Sequence, residues 1–413
     1  MKSTIIYKTF QEYYTKDFHI ENAPKQMDKR EFGFVLFSQG VVVRHKRFKS
    51  IDELKAFMRE NVPSDAYYSC AYYDDPEAEM DKKGWLGADL IFDIDADHIP
   101  TNCDRVHEEW TCTSCGFYGK GVVPENCPIC GGEKFDVKTW PCEKCLTSAK
   151  METLKLLSFL INDFGFSKDE IQLFFSGNRG YHVHVVNEAV KELDSFARKE
   201  IVDYLFGVGL EVPFHAPLVK KSKKGMEIGR GMKFSSFGWP QRLRHGTQKF
   251  LEEADENHLK EIGLKLDVIR AIIENRDALL KGLNEHGGLP LARGVGFGTW
   301  KRILEHIAKL QSAKIDTVVT TDVHRLIRLP NTLNSKTGFK KVEVPISKLE
   351  EFDPFKEAIA IRTGSIKVKV TSAPAFRVGN ETFGPYRDMV VELPTAAALL
   401  LICRERAEAV EQQ

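Results

Sequence analysis

Two aspartates set one residue apart, Asp93 and Asp95, close the run Asp89-Leu-Ile-Phe-Asp-Ile-Asp-Ala-Asp97. Leu90, Ile91, Phe92 and Ile94 give that run the character of a strand. Side chains two apart in a strand share a face. Asp93 and Asp95 are therefore expected side by side, with Leu90, Phe92 and Ile94 turned toward a core. Adjacent carboxylates repel one another and require a counter-charge, and a hard divalent cation such as Mg²⁺ or Mn²⁺ suits oxygen ligands of this kind. Paired carboxylates bridging two such ions are a recurrent device of nucleotidyl transfer. A lone D-x-D is equally well a solvated strand end, so the rest of the chain has to decide.

A second set of chemical residues is the cysteines. Seven of the nine run from Cys103 to Cys145, and six of these form three C-x-x-C pairs: Cys112/Cys115, Cys127/Cys130 and Cys142/Cys145. Clustered pairs of this spacing bind metal rather than form disulfides. Cys112, Cys115, Cys127 and Cys130, each pair followed by Gly, have the knuckle spacing of a zinc ribbon that presents four thiolates to a tetrahedral ion. The third pair finds its partners upstream in Cys103 and His107, so that Cys103, His107, Cys142 and Cys145 form another four-ligand set around the ribbon, with His98 as a rival ligand. Closed four-ligand sites are structural. Zn²⁺ is therefore expected twice, for folding and not for chemistry; an iron–sulfur cluster matches the spacings less well.

The third pattern is Ile171-Gln-Leu-Phe-Phe-Ser-Gly-Asn-Arg-Gly-Tyr-His-Val-His-Val-Val186, read as strand, tight turn and strand. Gly177 and Gly180 let backbone approach a ligand closely. Ser176, Arg179 and His182 converge near the turn, and a hydroxyl, a guanidinium and an imidazole are groups that hold a triphosphate. The bland alternative is a hairpin decorated with polar residues.

Taken together and in this order, the D-x-D strand, the S-G-x-R-G-x-H turn and the metal ligands between them resemble the catalytic (small) subunit of archaeal and eukaryotic DNA primases. Asp322-Val-His-Arg-Leu-Ile-Arg-Leu-Pro-Asn-Thr-Leu-Asn-Ser-Lys-Thr-Gly338 resembles that family's last motif, an aspartate on a strand followed by a Lys-Thr-Gly turn. Tyr13-Tyr14, Arg30-Glu-Phe-Gly-Phe and the tail from Val390 extend the resemblance over roughly residues 5 to 405. The resemblance implies that Asp93, Asp95 and Asp322 hold catalytic Mg²⁺ or Mn²⁺. It implies that Ser176, Arg179, His182 and Lys336 bind the nucleotide, with Arg30 and Arg44 nearby. It further implies synthesis of short RNA primers, or DNA ones, on a single-stranded DNA template from NTPs or dNTPs. A large primase subunit would complete a heterodimer. Two departures stand out: Asn334 where the archaeal pattern usually has His, and the ribbon from Cys112 to Cys130, which many members lack. A primase-like repair polymerase shares the same motifs; a zinc-dependent nucleic-acid-binding module or a nuclease leaves part of them unused.

These groups need elements to position them. Ile51–Asn61 and Ala149–Phe164 show helical apolar stripes, Asp194–Phe206 reads as a helix, and residues 240–312 read mostly as helix. Phe32–Phe37 and Val41–His45 pair as strands, and Lys314–Thr321 reads as a strand that delivers Asp322. The expected fold class is α/β (α+β), with a primase-type catalytic sheet implied by the resemblance. The core is placed in 1–98, 146–235 and 313–413, the zinc-binding region in 99–146 with the ribbon at 112–130, and a helical subdomain in 236–312. The 413 residues suffice for about two or three domains. With 59 basic and 59 acidic residues the net charge is zero, so any grip on a polyanion has to be local. Arg44–Lys49, Lys220–Lys224 and Lys336–Lys341 are the basic clusters, each either a phosphate-contacting surface or a solvated loop. No signal-peptide pattern and no apolar run of spanning length occurs. The expected location is cytoplasmic for an archaeal-type chain, nuclear for a eukaryotic one.

Overall fold

In the computed structural model, residues 2–20, 23–37, 42–99, 101, 103, 107–211, 220–222, 225–227, 237–286, 289–290 and 292–410 are described. Val41, Lys223 and Lys224 and the stretch 228–236 lie outside them, as does the side chain of His98. The chain mixes helix and sheet, as its patterning implied, and divides into two compact units.

The first unit comprises Met1–Thr153, Lys168–Lys199 and Ile315–Gln413. Two four-stranded antiparallel sheets dominate it. One runs Leu326–Arg328, Pro63–Ser69, Phe32–Leu36, Val42–Lys46; the other runs Val342–Glu343, Ile171–Phe175, Gly180–Val185, Leu90–Asp95. Leu90, Phe92 and Ile94 are fully buried, so the period-two reading of that strand holds, with Ile91 buried as well. Burying such a side chain contributes about 1.5–3 kcal/mol, which fixes the register strongly: a slip of one residue would turn both aspartates into the core.

Two arginines lock the start of the aspartate strand. Arg198 donates to the carbonyls of Ala88 and Asp89 at 2.8 and 2.9 Å. Arg30 spends all its N–H groups on Lys25 O, Ser69 O, Cys70 O, the Tyr72 hydroxyl and the Asp89 carboxylate. It is 1% exposed. The expectation that Arg30 lies by a reaction centre therefore gives way: its planar fork is saturated by a buried structural network.

One local expectation fails. Lys314–Thr321 does not form a strand; Thr317–Thr321 is a short helix with Asp316 as its N-cap and Asp322 as its C-cap. The β-branched run favours a strand locally. The Asp316 carboxylate, accepting from the N–H groups of Val318 and Val319 at 2.9 and 3.4 Å, supplies the helix start instead.

The second unit comprises Leu154–Ser167 and Glu200–Lys314. Its helices Gly238–Glu253, Glu256–Glu261, Leu266–Glu274, Arg276–His286 and Phe297–Gln311 enclose a core that includes Leu243, Ile272, Leu283, Trp300, Ile303 and Ile307. Arg242 forms a bidentate pair with Asp163 at 2.8 and 2.9 Å over the ring of Phe159. No described helix is long and apolar enough to cross a membrane.

Candidate active site and metal centres

The aspartate strand pairs antiparallel with Gly180–Val185 so that Asp93 faces His182 and Asp95 faces Gly180. Gly180 is required there: a Cβ would lie 2.0 Å from the Ile94 carbonyl oxygen. The turn before it is tied by Ser176, whose hydroxyl accepts from the N–H groups of Asn178 and Gly180, both at 3.3 Å. Gly177 adopts a positive φ of 80°, a conformation costly for any residue with a Cβ. Its carbonyl accepts from Thr337 Oγ1 at 2.5 Å, which joins this turn to the Lys-Thr-Gly turn.

Between the two large sheets these residues border a cavity of about 340 Å³. Asp93, Asp95, Ser176, His182, Asn334 and Lys336 line it, and so do Tyr67, Arg325 and Arg328 from the neighbouring sheet and its approach. Acid thus occupies one wall and base another. Arg328 is held by Asp65 at 2.8 Å and by the Leu333 carbonyl at 3.0 Å. Lys336 is exposed. Asn334 is buried, and its Oδ1 accepts from the Lys336 N–H at 2.9 Å, so the amide at this position shapes the turn that carries the lysine.

Burial, then the charges of Asp95 and Asp316, push the Asp93 carboxyl up to about 7. Its cross-strand neighbour is His182, with Nε2 3.6 Å from Oδ1. Burial, followed by Lys341 and Arg328, holds that imidazole well below its usual range, and hence neutral. A carboxyl raised first by burial and then by neighbouring carboxylates is short of counter-charge, and a divalent cation fits that oxygen donor set.

The third carboxylate is where sequence reasoning missed. Asp316, not Asp322, is brought to the pair. Its backbone N–H donates to the Asp93 carbonyl at 2.8 Å, and its charge acts on the Asp93 carboxyl. Asp322 sits at the other end of the short helix, about 9 Å farther along at 1.5 Å per residue. There its Oδ1 accepts from the His324 N–H at 2.9 Å and its carbonyl faces the Cys70 thiol. Neither aspartate lines the cavity itself, and the tie to Asp93 is what sets Asp316 apart. Asp316 was detectable as an N-cap type directly before an apolar run. Arg325 and Arg328 carried no such local signal.

Arg179 also differs from expectation. It does not line the cavity. It is 4% exposed and faces Asp97 in a tight ion pair, Glu108 at 3.1 Å and Asp95 at 3.8 Å.

Both cysteine sets assemble. In each of Cys103/His107/Cys142/Cys145 and Cys112/Cys115/Cys127/Cys130 the four ligand atoms lie within 4.8 Å of one another. The first set is anchored by the helix Glu143–Asn162, which carries Cys145. The ribbon set hangs on the sheet Tyr118–Lys120, Glu109–Cys112, Phe135–Lys138, around buried Trp110. The backbone N–H of Cys115 pulls the Cys112 thiol below the usual thiol range, as a knuckle prepared for a cation does. All four donor positions in each set come from protein, the pattern of a structural site.

Residues 136–347 match the family model of the DNA primase small subunit. The chain is 31% identical to the DNA primase small subunit PriS of Nitrosopumilus maritimus over 96% of each chain. It is 32% identical to that of Cenarchaeum symbiosum over 98% of each. With the protein of the same name from Methanococcoides burtonii it shares 33% identity, over 97% of this chain and 96% of that one.

Proposed function

This chain belongs to the DNA primase small-subunit family, and we propose that the acid-and-base cavity between its two large sheets is where it joins nucleotides. The chain is a primase catalytic subunit, a nucleotidyltransferase. Its reaction in this reading is the joining of one NTP, through its 3′-hydroxyl, to the α-phosphate of a second on single-stranded DNA, with pyrophosphate leaving. The observation that carries the reading is that Asp93 and Asp95 share one cavity with Arg325, Arg328 and Lys336, while the charge of Asp316 acts on Asp93 from beside it.

Asp93, Asp95 and Asp316 would hold the divalent cations, Mg²⁺ or Mn²⁺, which when bound supply positive charge to the reacting oxygens. The side chains do the rest. Arg328 and Lys336 face the triphosphate, Arg328 as a fork fixed by Asp65 and Lys336 as a mobile point charge. Ser176 and neutral His182 lie along the same wall and orient the phosphates by hydrogen bonds. Their contribution is positioning and electrostatics in a partly water-excluded cleft. Arg179 contributes indirectly, through the carboxylates around it. The two large sheets are, in this reading, the primase-type catalytic sheet. Zinc fills both four-ligand sets, and a large subunit completes the enzyme in the cytoplasm.

The test is de novo synthesis on single-stranded template with NTPs and no primer, by the parent and by Asp95→Asn. Dinucleotide formation by the parent alone is the expected result. Activity of the parent only on a pre-existing 3′ end would favour a repair polymerase, and undiminished synthesis by Asp95→Asn would remove the site assignment.

A further inference from the structure

Arg179 is surrounded by acid. Its guanidinium meets three carboxylates: Asp97 and Asp95 beyond the aspartate strand's end and within it, and Glu108 from the metal-binding region. Glu108 is itself 4% exposed on its side chain. It directly follows His107, one of the four ligands of the first metal set. A buried guanidinium shared among carboxylates goes to those it touches. Glu108 at 3.1 Å is within hydrogen-bond reach, and Asp97 is closer still; Asp95 at 3.8 Å is not. The turn that carries Arg179 is pinned on its other side. Arg404 donates to Asn178 Oδ1, and to Thr139 Oγ1 at 3.0 Å. Backbone drift of the turn is thereby restrained, and the position of the guanidinium is set by its acidic partners.

We propose that Glu108 is a positioning residue for the nucleotidyl-transfer site: fixed beside the metal set through His107, it holds Arg179 off Asp95 and so keeps that carboxylate open to a divalent cation. The proposal rests on the reading of Asp93, Asp95 and Asp316 as the cation-holding cluster. Its sign follows from charge. Without the Glu108 charge, Asp97 is the close carboxylate left to Arg179 among the described residues, and the guanidinium settles toward Asp95. A guanidinium on Asp95 then competes with the incoming cation for the same oxygens. The first metal set thereby acquires a second consequence beyond local folding, because it fixes the backbone from which Glu108 reaches.

The measurement is Mn²⁺ binding to the zinc-loaded chain without nucleotide, by the paramagnetic resonance of free Mn²⁺, for parent, Glu108→Gln, Glu108→Asp and Asp95→Asn. Zinc content and melting temperature are recorded for each. Glu108→Gln is expected to bind Mn²⁺ about tenfold more weakly, the size of a typical coupling between sites. It is also expected to need about tenfold more Mn²⁺ for half-maximal synthesis, with the nucleotide KM at saturating Mn²⁺ unchanged. Glu108→Asp, which retains the charge, is expected to restore most of the affinity. A folded, zinc-loaded Glu108→Gln with parental Mn²⁺ affinity overturns the proposal. If that variant loses zinc or melts early, Asp97→Asn removes the other restraint on Arg179 at a half-exposed position; it must then weaken Mn²⁺ binding, and parental affinity there overturns the proposal too. Asp95→Asn separates the two readings. Lost binding in Asp95→Asn with no effect at Glu108 or Asp97 sinks the positioning role alone, whereas parental binding in Asp95→Asn sinks the cluster reading and the positioning role with it.

Discussion

Asp316 and Asp322 are the same side chain six residues apart, at opposite ends of one short helix, and only the first reaches Asp93. Removing the charge of a group that organises transition-state charge costs about 10²–10³-fold in kcat. Asp316→Asn is therefore expected to lower primer synthesis by at least about 10²-fold, with the melting temperature close to that of the parent. Asp322→Asn, at a position with no such tie to Asp93, is expected to stay within about threefold, under 1 kcal/mol in activation free energy. Steady-state incorporation by both purified variants checks the pair, and the reverse order of effects would return the ligand role to Asp322. Arg30 makes the complementary case. Its pairing with Asp89 at 2.6 Å is buried on both sides, and breaking a buried pair from one side costs about 3–5 kcal/mol. Arg30→Met is expected to lose that much in denaturant unfolding while the fraction that stays folded keeps its nucleotide KM. A raised KM with unchanged stability would put Arg30 back at the reaction centre. Why the chain's sequence misled at these residues is physical. Asp93 and Asp95 were legible because a period of two is local. Which of two aspartates a β-branched run delivers depends on whether that run becomes strand or helix, and here a contact with a distant carbonyl accompanies the helical outcome. Likewise Arg30 and Arg179 announce charge in the sequence but not its burial.

At the scale of elements, the two four-ligand sets were legible from spacing alone, since C-x-x-C turns and four donors leave few pairings. Their unequal consequences were not. The first set joins the helix Glu143–Asn162 to the segment holding His107 and Glu108, and hence reaches Arg179. The ribbon set sits on its own three-stranded sheet, with Cys115 and Cys130 exposed. Metal binding contributes folding free energy wherever the ligands come from separate segments. Cys145→Ser is expected to drop the zinc content from two per chain to one, lower the melting temperature and weaken synthesis about tenfold or more. Cys115→Ser is expected to cost the other zinc and loosen only Glu109–Lys138, with synthesis within about threefold of the parent. Elemental analysis with a synthesis assay on each variant distinguishes them; equal losses of activity would mean that the ribbon also supports the cleft. A pH signature belongs to another element, the strand Phe32–Leu36, which Glu31 directly precedes. Burial works to raise the Glu31 carboxyl, but hydrogen bonds from Arg44 and Lys83 outweigh it and hold the carboxyl below its ordinary value. A carboxyl lowered in the folded state contributes stability in full above its unfolded value of about 4.3, and that stability fades as pH falls through the lowered folded value. The acid limb of the unfolding free energy, measured from pH 7 to 2, is thus expected to be shallower in Glu31→Gln than in the parent. Parallel limbs would mean that Glu31 does not titrate differently on folding.

For the molecule as a whole, zero net charge and a cavity with acid on one wall and base on another imply that the chain does not hold polyanions by bulk attraction. Its selectivity for a reacting triphosphate has to come from where the cleft places a few groups, and that placement depends on the first unit's two large sheets. The helical unit, by contrast, has its own apolar core around Trp300, whose Nε1 donates to the Pro290 carbonyl at 2.8 Å. A unit with its own core loses stability as its own cooperative block. Trp300→Ala removes the largest side chain of that core and is expected to cost it about 3–5 kcal/mol. Amide exchange should then quicken across the helices Gly238–Glu253, Leu266–Glu274 and Phe297–Gln311. Protection in Leu90–Asp95 and Gly180–Val185 should stay at the parental level, because those strands belong to the first unit and are paired with one another. Exchange followed by mass spectrometry reads both regions in one experiment. A matching loss of protection in the aspartate strand would show that the cleft is not organised by the first unit alone, and the positions of Asp93 and Asp95 would then have to be explained by the whole chain folding as one block.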